Sequence, residues 1–353
     1  MSFLPLSTLG LIILGAFGGQ APVHTGTRVV AGPPIPYVPC PFVGASHAMS
    51  FVAGASTVNT FVTTADPETR RFIVYVPSTY SVALAPYPVV FMLHGTGQTA
   101  QIALNNTTWN QAAEVLGFIA VYPQALPYLL LDGTVRTKWH TDEVAASVVD
   151  PSELPMSDDV LFLRELHNTL GAYLDIDCER IYATGFSNGG AFVKTKIHVD
   201  LADIFAATTS SGGIGVGGGT ASQYFPANGT DFRPHFEVVG TLDDKKRDNC
   251  IAAGDLQPGD ILPRHVADVL ATPCMWDPLQ LYTDALGLDV SAYSTLETPA
   301  LTQFIWNTTV MGTGPREYRF RILPNMTHEY PSGTNYPTDY VPIFYSWLSQ
   351  YTR

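Results

Sequence analysis

The chain is short of charge, and the charge it has is mostly of one sign. Charged residues are 14% of its 353, with 18 lysines and arginines against 31 aspartates and glutamates. A phosphate-binding surface needs clustered cations, and no run of Lys or Arg occurs, which argues against nucleic acid as a partner. Cysteine is scarce as well. Its four copies, Cys40, Cys178, Cys250 and Cys274, form no Cys-x-x-Cys pair, so they do not read as zinc ligands. No cluster of His, Asp and Glu has metal-ligand spacing either, which leaves metal catalysis without support. No internal repeat is visible, and no apolar run beyond the N-terminus is long enough to span a bilayer. What is plentiful is Gly (30) and Pro (27), beside 46% hydrophobic residues. That mixture excludes general disorder and suits a loop-rich globular protein.

The N-terminus carries an apolar run, Leu4 to Gly19, with small residues at Gly19 and Ala21. It reads as a signal peptide, residues 1–21, cleaved after Ala21, although the segment before the run lacks Lys and Arg. The alternative is an N-terminal membrane anchor, because the run approaches spanning length. Residues 22–65, including the proline-rich stretch Ala31 to Pro41, read as an extended arm. Residues 66–353 are expected to form the catalytic domain. Asn-x-Ser/Thr acceptors at Asn105, Asn106, Asn228, Asn307 and Asn325 fit a secreted, extracellular glycoprotein with no membrane association after cleavage. Two disulfides suit that compartment. Three connectivities are possible; Cys250–Cys274 as a local staple with Cys40–Cys178 tying the arm is favoured over four buried thiols.

From Arg71 the pattern is regular. Arg71 to Val76 is β-branched and aromatic and stops at Pro77, as a strand should. Val89 to Leu93 is a continuous apolar run, the mark of a strand buried on both faces of a parallel sheet. Phe118 to Tyr122 is similar. Val160, Leu163, Leu166, His167 and Leu170 recur at helical spacing, with Ser157 as the expected cap and Asp158 and Asp159 in the first turn. Further strands are expected at Ile181 to Thr184, Ile204 to Thr209, Phe236 to Val239 and Tyr318 to Leu323, and a closing helix at Tyr340 to Tyr351. Alternating strands and helices give a doubly wound, mostly parallel sheet of α/β class. Residues 246–315 contain two cysteines and no clean strand, and read as an insertion capping the sheet's carboxyl edge.

Gly185-Phe186-Ser187-Asn188-Gly189 follows one of those strands. A nucleophilic serine must project from a sharp, strained strand-to-helix turn, and glycines two residues either side remove the clashes there. Ser187 is therefore the expected nucleophile. An attack on a carbonyl also needs two waiting N–H donors. Asn188 supplies one, and Thr96, in His94-Gly95-Thr96-Gly97 at the end of the buried strand, supplies the other. The His94 side chain reads as a brace for that loop. Among nine histidines, position selects His328, after the last strand, as base, with His265 and His140 as rivals. The acid should end the strand Phe236 to Val239, where Asp243 is preferred over its neighbour Asp244. Gly213 to Gly218 contains a dinucleotide-like glycine pattern, but no helix follows to hold a pyrophosphate, so no nucleotide cofactor is expected.

With these residues placed, the chain resembles the secreted esterases of carbohydrate esterase family 1: feruloyl esterases, acetylxylan esterases and the related polyhydroxybutyrate depolymerases. The resemblance lies in Leu93 to Gln98, Gly117 to Pro123, Asp159-Val160 with Phe162, and most strongly Cys178 to Gly190. It runs from about Arg71 to Gly213. It implies the α/β-hydrolase fold, ester cleavage by the Ser187–His328–Asp243 triad, and no metal or organic cofactor. The leading expectation is a feruloyl-esterase-like enzyme acting on plant-cell-wall esters, polysaccharide-linked or polymeric. In that reading Trp139, Trp276, Tyr282 and Trp306 would stack a phenolic acyl group. The alternatives are an extracellular polyhydroxyalkanoate depolymerase and an inactive hydrolase scaffold used for binding.

Overall fold

The computed structural model describes residues 47–64, 68–81, 84, 86–141, 144, 147–149, 158–213, 232–310 and 316–353. The signal segment, Cys40 and its pairing with Cys178, Ser157, Asn228 and most of the 213–218 glycine pattern lie outside them.

The strands, in chain order, are β1 (Ala55–Val62), β2 (Thr69–Val76), β3 (Tyr87–Leu93), β4 (Ile119–Pro123), the small hairpin β5 (Pro127–Leu129) and β6 (Val135–Thr137), β7 (Ile176–Phe186), β8 (Ala207–Ser211), β9 (His235–Gly240), β10 (Tyr293–Glu297), β11 (Thr302–Trp306) and β12 (Tyr318–Leu323). Ten of them form one sheet in the order β1-β2-β4-β3-β7-β8-β9-β12-β11-β10. The six central strands from β4 to β12 run parallel, and antiparallel strands extend both edges. This is the α/β-hydrolase fold.

Every residue of β3 is buried, because helices cover both faces of the sheet. Val89, Phe91 and Leu93 point to one face and pack with Phe162, Leu166 and Leu170. The alternate residues Val90 and Met92 join Trp109, Phe344 and Trp347 on the other. Period-two alternation thus divides one apolar run between two cores. The helices that supply these cores include α1 (Ala100–Asn106), α2 (Trp109–Leu116) and α3 (Asp159–Tyr173). The cap of α3 is Asp158 rather than Ser157; its carboxylate accepts the Leu161 N–H at 2.8 Å. Asp159, one residue on, forms a fully buried ion pair with Arg70 of β2, whose guanidinium lies 4.1 Å from the Phe162 ring centroid.

The region between Lys245 and Pro315 differs from its reading as strandless. β10 and β11 continue the sheet outward from β12. The sequence hides β10 because Tyr293–Glu297 is mostly exposed and shows no apolar alternation. Helix α4 (Asp244–Ala253) and a later helix, Pro273–Ala285, are joined by the disulfide Cys250–Cys274, so that expected staple is present. Likewise, the last part of the expected arm is the edge strand β1. Among the described residues, no helix is long and apolar enough to cross a membrane.

Candidate active site

β7 ends at Phe186, and Ser187 follows with φ 52° and ψ −120° before a short helix begins at Asn188. A non-glycine residue at positive φ is strained, and strain of this kind persists only where neighbours enforce it. Here they do. A Cβ at Gly185 would fall on the Gly189 carbonyl, and one at Gly189 would lie 2.5 Å from the carbonyl oxygens of Leu93 and His94. The two flanking glycines therefore let the turn close against β3.

His328 sits in the loop after β12. Its Nε2 is 2.9 Å from Ser187 Oγ, and its Nδ1 is 2.9 and 3.0 Å from Asp243 Oδ2 and Oδ1. Asp243 follows β9, is fully buried, and also caps α4, where Oδ1 accepts the Lys246 N–H at 3.0 Å. Asp244 lies beside them, with a carboxylate oxygen within 4.8 Å of a His328 ring nitrogen and an Asp243 carboxylate oxygen, but it pairs with Lys245 at 3.4 Å and its side chain is 47% exposed. The structure thus brings Ser187, His328 and Asp243 into one hydrogen-bonded line. Of the rival histidines, the His265 ring contacts Glu297 at 2.6 Å on the surface, and the His140 main-chain N–H donates to Asp159 Oδ2 at 2.7 Å.

The loop after β3 reaches this line because Leu93 pairs with Gly185 in register. A Cβ at Gly95 would lie 3.2 Å from that of Ser187 and 2.9 Å from the Phe186 ring, so only glycine permits the approach. Among the described residues, the main-chain N–H groups of Thr96 and Asn188 have no protein acceptor. Around them the backbone is fixed. Gly95 N–H donates to Gln98 Oε1 at 3.0 Å. His94 Nδ1 contacts the Gly95 carbonyl at 2.8 Å, and Nε2 accepts the Ala125 N–H at 3.1 Å. Burial pulls the His94 pKa down to about 4, so a neutral imidazole braces the loop.

Trp139 has a role that the sequence reading missed. Its N–H donates to Asn188 Oδ1 at 2.7 Å, Asn188 Nδ2 returns a bond to its carbonyl at 3.2 Å, and its indole N–H donates to the His94 carbonyl at 2.9 Å. It is fully buried and ties the two loops together rather than lining a cleft. No local signal reveals this, since its partner Asn188 lies 49 residues away. The expected aromatic shelf is likewise corrected for Tyr282 and Trp306, which are fully buried, while Trp276 is half-buried and packs against their cluster beside β11. Apolar surface spent on the core is not available to a ligand.

Residues 71–224 match the family model described as esterase PHB depolymerase. Over 176 residues the chain is 29% identical to the bifunctional acetylxylan esterase/xylanase XynS20E of Neocallimastix patriciarum, covering 50% of this chain and 22% of that protein, so it matches about a fifth of the relative's length. Among solved structures, an acetyl xylan esterase from Aspergillus awamori aligns with a TM-score of 0.54 at 14% identity, over 83% of this chain and 99% of the other. An S-formylglutathione hydrolase from Agrobacterium tumefaciens aligns with a TM-score of 0.50 at 16% identity, over 84% and 94%. At such identities these two establish the shared fold.

Proposed function

We propose that the chain is a serine carboxylic ester hydrolase acting on aliphatic hydroxyalkanoate esters, in the manner of an extracellular polyester depolymerase. The observation that carries the chemistry is the line Ser187 Oγ, His328 and Asp243, with successive contacts of 2.9 Å. Asp243 orients the imidazole so that Nε2 faces the hydroxyl. His328 takes the Ser187 proton as Oγ attacks the ester carbonyl, and the Thr96 and Asn188 N–H groups receive the oxyanion. His328 then protonates the departing alcohol oxygen. Water, deprotonated by the same imidazole, releases the acid from the acyl-enzyme. No cofactor enters any step.

The match of residues 71–224 to the PHB depolymerase model supports the hydroxyalkanoate class. Burial of Tyr282 and Trp306 removes two of the aromatic side chains that the feruloyl reading would use to stack an acyl group. Likeness to the acetylxylan esterase/xylanase favours a second reading, in which acetyl groups on a polysaccharide are the substrate. The Cys250–Cys274 disulfide supports export to an oxidising compartment.

Turnover of 3-hydroxybutyrate oligomers, acetylated xylan, methyl ferulate and p-nitrophenyl acetate by the wild-type protein tests the proposal. Release of hydroxybutyrate, lost in Ser187→Ala, is the expected result. Preference for acetylated xylan selects the second reading. No turnover of any ester by folded protein leaves the binding-scaffold reading.

A further inference from the structure

We propose that Ser211 is a positioning residue that sets the nucleophile and the base in one register, an inference that rests on the serine-hydrolase reading above. Ser211 ends β8 between β7 and β9 and is fully buried. Its carbonyl accepts the Ser187 N–H at 2.9 Å, so it anchors the strained turn from below. Its hydroxyl does something different and donates to the Glu329 carbonyl at 2.7 Å. That carbonyl belongs to the residue immediately after His328.

The next residue extends the contact. Gly212 has φ +58°, and a Cβ there would lie 2.9 Å from His328 Cε1, 3.0 Å from Nδ1 and 3.4 Å from Asp243 Oδ2. The imidazole therefore rests directly on the Gly212 backbone. The Gly212 N–H in turn donates to Val238 of β9 at 3.1 Å, the strand that leads to Asp243. One dipeptide thus meets the nucleophile through a main-chain bond, the loop carrying the base through a hydroxyl, the imidazole through a face contact, and the acid through that same face.

A buried hydroxyl must spend its donor somewhere. Ser211 Oγ spends it on the base loop. Elsewhere that loop is fastened farther from His328: Tyr330 OH contacts Thr184 at 2.7 Å, and Asn335 donates to the Tyr330 carbonyl at 2.7 Å. Loss of the Ser211 hydroxyl leaves the Glu329 carbonyl unpaired and frees the loop on the side nearest the imidazole. Displacement of a reacting group by about an ångström costs roughly 100-fold in rate.

Ser211→Ala deletes the hydroxyl and keeps the main-chain bond to Ser187, whereas Ser211→Thr keeps both. Steady-state kinetics on p-nitrophenyl acetate should show kcat of Ser211→Ala reduced by about tenfold to 100-fold, with KM nearly unchanged. Rates are expressed per active site, counted by fluorophosphonate labelling, which separates misfolding from misplacement. Ser211→Thr should recover most of kcat. The inference is overturned if Ser211→Ala retains wild-type kcat per labelled site, or if fully labelled Ser211→Thr is as slow as Ser211→Ala. If Ser187→Ala is as active as wild type, the hydrolase reading itself fails, whatever Ser211 does.

Discussion

Replacing each of the two adjacent aspartates by asparagine separates the acid from its neighbour. Asp243 serves two donors: Oδ1 accepts the Lys246 N–H at 3.0 Å, while both oxygens lie within 3.0 Å of His328 Nδ1. Asparagine has one oxygen. The Lys246 N–H requires an acceptor, so the amide oxygen turns to it and the NH2 group faces the imidazole. His328 then accepts at Nδ1 and carries its proton on Nε2, which points at Ser187 and can no longer take the hydroxyl proton. A wrong tautomer in an otherwise intact triad costs roughly 10⁴-fold in kcat, or about 5.4 kcal/mol at 1.36 kcal/mol per decade. Because the substitution is nearly isosteric, KM and thermal midpoint should change little. Asp244, half-exposed and paired with Lys245 at 3.4 Å, should give a variant within about twofold of wild type, as surface pairs contribute little. Steady-state kinetics on p-nitrophenyl acetate for both variants decides the matter. Equal losses, or a larger loss for Asp244→Asn, would refute the reasoning.

Other consequences concern stability. Cys250→Ser with Cys274→Ser opens a crosslink across a sequence separation of 24, which on loop-entropy grounds should cost about 3.5 kcal/mol; an unchanged urea midpoint would contradict this. Asp159→Ala removes the fully buried carboxylate paired with the Arg70 guanidinium and should cost up to about 3–5 kcal/mol by denaturant titration. The protein should also lose stability in mild acid. Burial holds His94 and His167 at about 4 and His198 at about 3, below their ordinary 6.5, and drives His235 well down. Below pH 6.5 the unfolded chain takes up protons that these native imidazoles refuse. Stability from them is therefore present above about 6.5 and lost as the pH falls towards 4, at up to about 1.4 kcal/mol per pH unit for each histidine. A urea midpoint as high at pH 5 as at pH 7 would contradict the assignment.

The central sheet and the turns that carry Ser187, Asp243 and His328 are legible because their signals are local. β3 announces itself as an unbroken apolar run, and Ser187 sits between glycines that the turn demands. His328 and Asp243 were found by their places after β12 and β9, and the fold brings them within hydrogen-bonding distance across 85 residues of sequence. What stayed hidden depends on partners that sequence spacing does not reveal. Arg70 and Asp159 pair across 89 residues. Trp139, one of the most visible residues in the chain, was read as a ligand shelf because its burial follows from contacts with Asn188 and His94. Ile204 to Ala206 is apolar but belongs to the turn before β8, whose own residues are one Ala and four Thr or Ser, so the expected strand begins three residues before Ala207–Ser211. The exposed, polar β10 shows no periodicity at all.

The most direct test of the central claim is covalent. Wild-type protein and Ser187→Ala are treated with a fluorophosphonate, digested and mapped by mass, with p-nitrophenyl acetate turnover measured on the same samples. A nucleophile activated by His328 predicts a single adduct on the peptide containing Ser187, together with turnover that the substitution abolishes. An adduct elsewhere, no adduct on folded wild-type protein, or turnover that survives in Ser187→Ala would contradict it.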